Sequence, residues 1–85
     1  MSEMRILGIF IHDRNKEAGK VQGLLTKYGC SIKTRLGLHE VSDDFCASSG
    51  LILLELVGDK NECTRLENDL LGVEGIQVKK MYFNE

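Results

Sequence analysis

The stretch 50-GLILLELVGD-59 is apolar at nearly every position from Leu51 to Val57, broken only by Glu55. A short apolar run without alternation is the pattern of a β-strand covered on both faces. A second run, 4-MRILGIFIHD-13, is equally dense in Ile, Leu and Phe. The two are therefore expected side by side at the centre of one sheet.

The segments around these runs complete the pattern. In 15-NKEAGKVQGLLTKYG-29, Ala18, Val21, Leu24, Leu25 and Tyr28 recur at spacings of three and four, which predicts an amphipathic helix of about four turns. Asp13 or Asn15 can cap its start, and Gly29 can end it. Gly19 and Gly23 inside it each cost about 1 kcal/mol relative to alanine. Lying four apart, they share one side, so close backbone packing there, against the sheet or a partner, is the expected compensation. The segment 31-SIKTRLGLHE-40 alternates, with Ile32, Thr34, Leu36 and Leu38 on one face and Lys33, Arg35, Gly37 and His39 on the other. This is the period of a half-buried edge strand. In 60-KNECTRLENDLLGV-73, Cys63, Leu66, Leu70 and Val73 have helical spacing, with Asp59 as N-cap and Glu62 as its capping-box partner. The closing 76-IQVKKMYF-83 has mixed faces, and its two lysines suit an exposed edge strand.

The order strand, helix, strand, strand, helix, strand predicts an α+β fold: a ferredoxin-like βαββαβ sandwich over residues 1–85, a four-stranded antiparallel sheet with both helices on one face. Its first and third strands are central, where the two most apolar runs fall. One apolar set from each, among Met4, Ile6, Phe10, Leu51, Leu53 and Val57, then points away from the helices. An apolar sheet face of several hundred Å² marks an interface, so the chain is expected to pair with itself as a homodimer or tetramer.

Composition narrows the classes. Eighty-five residues, 42% hydrophobic and 28% charged, describe one small domain that buries only roughly 60 to 65% of its unfolded surface and gains from a partner. Eleven basic and 13 acidic residues are spread without a block of like charge, which argues against direct nucleic-acid binding. No apolar run approaches the roughly 18 residues of a membrane span, and the N-terminus lacks a signal-peptide pattern, so a cytoplasmic location is expected. Cys30, Cys46 and Cys63 include no Cys-x-x-Cys pair and are read as reduced thiols.

With this order in place, the chain resembles the small ACT-like domains of the iron-only hydrogenase system regulator family over nearly its whole length. The resemblance rests on a Gly-ended first helix, then 35-RLG-37, Gly50 opening an apolar strand, and 73-VEGIQVKK-80. The turn between Gly37 and Gly50 is longer and more acidic than the family pattern. The resemblance implies a regulatory role with no known chemistry. Broader ACT domains bind amino acids or other small effectors at subunit interfaces, often through an Asp and a Gly after the first strand. In 12-HDRNKE-17, Asp13 and Arg14 match in type and the Gly is absent. The ACT-like part of nickel-responsive ribbon-helix-helix repressors, which binds nickel by His and Cys around the same hairpin, is similar to the region holding His39 and Cys46.

Two candidate sites follow. His12, Asp13 and Arg14 stand where a helix N-terminus presents free amides, a place for an anionic effector with Arg14 as counter-charge. The rim around Arg35, Gly37 and Glu55 joins it if subunits pair there, with Arg35 and Glu55 as a candidate interface ion pair; the plainer alternatives are a helix cap at Asp13 and a solvated pair. In 37-GLHEVSDDFCASSG-50 the first expectation is a solvated hairpin turn. The alternative is a nickel, zinc or iron sensor or chaperone site that uses His39 and Cys46, with Glu40, Asp43 and Asp44 as further ligands. Catalysis is not expected. His39 and Cys46 lack an oxyanion motif, 19-GKVQG-23 is not a P-loop, and no cofactor is implied. The predicted function is a non-enzymatic regulatory module that binds a small effector or a protein partner at its subunit interface, reaching transcription only through another protein.

Overall fold

A computed structural model describes residues 3–38 and 50–84. Its elements are β1 (Glu3–Ile11), α1 (Arg14–Lys27), a 3-10 turn at Gly29–Ser31, β2 (Ile32–Leu38), β3 (Gly50–Leu56), α2 (Lys60–Leu71) and β4 (Ile76–Asn84). The strands form one antiparallel sheet in the order β2-β3-β1-β4. The two most apolar runs are central, as their composition requires: a strand with neighbours on both sides has no wet edge, and β-branched and leucine side chains fill its pleat.

Alternate residues of the central strands build the core. Leu7, Ile9 and Ile11 of β1 and Ile52, Leu54 and Leu56 of β3 pack against Val21, Leu25 and Tyr28 of the first helical segment and Cys63, Leu66 and Leu70 of α2. Leu7, Ile9, Val21, Leu54, Leu66 and Leu70 are the largest fully buried side chains, each contributing about 1.5–3 kcal/mol relative to exposure. Asp59 caps α2, its Oδ1 accepting the Asn61 amide at 2.8 Å. Glu62 does not close a capping box: its carboxylate receives Arg65 one turn along the helix.

Two expectations are corrected. The alternation of residues 32–38 is broken by a bulge, since Ile32 pairs with Leu56 and Thr34 with Glu55. One extra residue in β2 reverses the faces beyond it. Ile32 therefore packs on the core, whereas Thr34 and Leu36 stand on the open face and Arg35 and Gly37 on the helix side. Gly19 and Gly23 also lack close packing against the sheet of their own chain. A Cβ at either would meet nothing within 4 Å, and Gly23 lines a shallow groove of about 600 Å³ between the helices.

Candidate functional site at the start of the first helix

His12 follows the last residue of β1, and its amide donates to the carbonyl of Gly75 at 3.1 Å. The exposed imidazole lies edge-on to Phe10, with centroids 4.9 Å apart, and its Nε2 is 3.2 Å from Gln77 Nε2 on β4. Asp13 turns the chain into α1, its carbonyl accepting the amides of Lys16 and Glu17 at 3.1 and 2.9 Å. Arg14 is the first helical residue. These three predicted residues share one end of the sheet, because they are consecutive and the helix starts there.

Sequence reasoning missed the residues that hold this end together. Glu17, in the first turn of α1, is 3% exposed, and its Oε2 has no hydrogen-bond partner, only Lys20 Nζ at 3.8 Å. Gly75 sits against it at φ +81°, where a Cβ would lie 3.0 Å from Glu17 Cγ. The spacing of 72-GVEG-75 was the available signal, as a glycine following a helix by a few residues marks a turn with positive φ. The α2–β4 turn thus rests on the start of α1.

The other predicted residues are not gathered here. Arg35, on the helix side of β2, donates to Gln22 of α1. Gly37, on β2, the edge strand opposite β4, pairs with Ile52. Glu55 lies on the open face, accepting from Thr34 Oγ1 at 3.1 Å and facing Lys33 Nζ at 3.8 Å. Within one chain Arg35 and Glu55 do not pair, because the bulge in β2 turns Arg35 to the opposite side. His39, Glu40, Asp43, Asp44 and Cys46 lie outside the described residues. Among the described residues, no group of three or more His, Cys, Asp or Glu side chains could hold a metal ion.

A second polar cluster pins the other end. Glu67 of α2, its side chain 7% exposed, accepts from Arg5 Nη1 at 3.0 Å and Tyr82 Oη at 3.2 Å, with Lys80 Nζ at 3.6 Å. The Arg5 guanidinium lies 4.8 Å from the Tyr82 ring centroid. Burial works against the Arg5 charge, but its bond to Glu3 and the carboxylate of Glu67 outweigh that cost and raise its pKa. Nearby, burial pushes the Cys63 thiol up, and its Sγ donates to the Val57 carbonyl at 3.6 Å. A thiol held protonated in this way is a poor nucleophile. Cys30 is exposed, and neither it nor Cys63 is in a disulfide.

The comparisons with known proteins bear on this geometry through the fold. No family model matches the chain, and no curated protein matches it in sequence. Solved structures do. The ACT domain from GTP pyrophosphokinase of Chlorobium tepidum superposes with a TM-score of 0.67 at 19% identity, covering 94% of this chain and 100% of that one. The fold is ACT-like. The uncharacterized protein TM1266 from Thermotoga maritima is similar to this ACT-like chain at a TM-score of 0.79 and 25% identity, covering 98% of it and 100% of TM1266. CPII, a nitrogen regulatory PII-like protein from Thiomonas intermedia K12 bound to ADP, AMP and bicarbonate, matches at a TM-score of 0.58 and 12% identity over 99% of this chain and 96% of its own. No helix among the described residues is long and apolar enough to cross a membrane.

Proposed function

We propose that this ACT-like domain is a non-enzymatic regulatory module of the iron-only hydrogenase system regulator family, cytoplasmic and homo-oligomeric, spanning residues 1–85. It binds a small anionic effector where His12, Asp13 and Arg14 open α1. The observation that supports this placement is the junction of His12 with Gly75 and Gln77: an exposed imidazole and a helix start meet the α2–β4 turn, so a ligand there touches both halves of the chain. Binding would fix α1 against β4 and favour one arrangement of subunits, a population shift set by the effector's differential affinity. The buried, protonated Cys63 thiol supports a role without covalent catalysis.

The test is the melting temperature of reduced, metal-free protein against adenine nucleotides, bicarbonate, free amino acids and divalent metals. An effector at 100 times its Kd stabilises the folded state by about 2.7 kcal/mol. The expected result is a rise with one anionic effector that is lost in Arg14→Ala and His12→Ala. A panel without any shift, or the same shift in both variants, sinks the proposal. A rise with Ni²⁺ or Zn²⁺ alone that vanishes in Cys46→Ser moves the site to residues 37–50.

A further inference from the structure

We propose that the open face of the sheet docks a second copy of this chain, face to face about a two-fold axis running along the strands. This rests on the homo-oligomer proposed above and specifies its surface and symmetry. The face is apolar across all four strands. Leu36 on β2, Phe10 on β1, and Met81 and Phe83 on β4 are 50, 37, 53 and 49% exposed, with half-buried Ile6 and Leu53 between them. Four strands of about seven residues make a face roughly 20 Å by 23 Å in plan. That area lies within the roughly 300–600 Å² of the largest patch on a typical monomer, a size that is often functional. Two such faces, with side-chain relief added, approach the total of about 1,000 Å² that a specific interface needs.

Charge and shape point to a copy of itself as the occupant. The open face carries an acid, Glu55, on β3, which Lys33 of the same chain faces at 3.8 Å, and a base, Lys79, on β4, which has no ion pair among the described residues. A two-fold axis along the strands reverses their order, laying β1 of one copy over β3 of the other and β4 over β2. Each Lys79 then lies one strand spacing from Glu55 of the other copy, and about two residues, roughly 7 Å, along the strand, within reach of a lysine side chain. The same rotation sets each Leu53 over Gly8 of the other copy, where no side chain rises, since both pair across one row of the sheet. A two-fold axis across the strands would instead stack β4 on β4 and leave Glu55 two strands from Lys79. Acid and base on opposite sides of the axis are what an isologous interface requires.

Sedimentation velocity of the full chain at micromolar concentration, reduced and without added effector, tests this. The wild type is expected to be a dimer, and Leu53→Lys and Met81→Glu to be monomers with unchanged circular dichroism. Leu71→Glu, at an exposed leucine on α2, should stay dimeric. Glu55→Lys and Lys79→Glu should each raise the dissociation constant about tenfold, and the double reversal should recover most of that loss. Three results overturn the proposal. A monomeric wild type would assign the face to a different protein. Dimeric open-face variants would assign assembly to another surface, and a double reversal no better than the singles would refute the axis. Assembly is read without effector, so a dimer that no effector stabilises sinks only the effector reading. A monomer that an effector does stabilise sinks only this one.

Discussion

On the helix side of the central strands, Leu7, Ile9, Ile52 and Leu54 are 0 to 8% exposed. On the other side, Met4, Ile6, Leu51 and Leu53, taken from the same strands at alternate positions, are only half-buried. The two faces are alike in composition and differ in what lies over them. The described residues form two helices, enough to cover one face. Apolar side chains that stay half-exposed on the second face add less to the stability of the chain than those under the helices.

The largest expected effect tests this contrast directly. Leu54→Ala should cost about 2–5 kcal/mol by leaving a cavity under the helices. Leu53→Ala, measured by urea unfolding at concentrations where the chain is monomeric, should cost about 1 kcal/mol or less. Equal costs would erase the difference between the faces. Next in size, Glu67→Gln weakens the acceptor shared by Arg5 and Tyr82 on the covered side and should cost about 1–3 kcal/mol in the same measurement. Wild-type stability in this variant would make the cluster incidental. Gly75→Ala should cost about 1–2 kcal/mol, because its φ of +81° is left-handed and its Cβ crowds Glu17. Adding Glu17→Ala should recover the crowding part and leave the backbone part; full recovery would refute backbone strain at Gly75.

The smallest effect is with pH. Burial raises the Cys63 thiol, and the Tyr28 phenol is raised by its hydrogen bond to Asp69 and then by burial. Both are held neutral in the folded state, so the stability they add is complete below their unfolded values and is lost as pH rises through the folded ones. Unfolding free energy should therefore fall above roughly pH 9, and the advantage of wild type over Cys63→Ala should shrink there. A pH-independent difference between the two proteins would show that the thiol is not coupled to folding.

Much of the fold was legible because it depends on local pattern. Two unbroken apolar runs identify the central strands, helical spacing marks α1 and α2, and Asp59 caps α2 as its position before the helix suggests. The site was legible only where it is contiguous. His12, Asp13 and Arg14 fall together because they are neighbours in the chain. Arg35 and Glu55 could not be placed from alternation, since a single bulge, set by how β2 pairs with β3, exchanges the faces. Gln77 reaches His12 across 65 residues, and no periodicity records that contact.

The sequence by itself determined the order of elements, the central place of β1 and β3 and the apolar character of both sheet faces, because these follow from side-chain type and the two- and 3.6-residue periods. Tertiary structure decided which face the helices cover, where the register of β2 slips, and that Arg5 and Glu67, 62 residues apart, share a partly buried ion pair. Such features arise when distant segments meet and desolvate one another, and the free energy that selects them belongs to the contact and not to either segment alone.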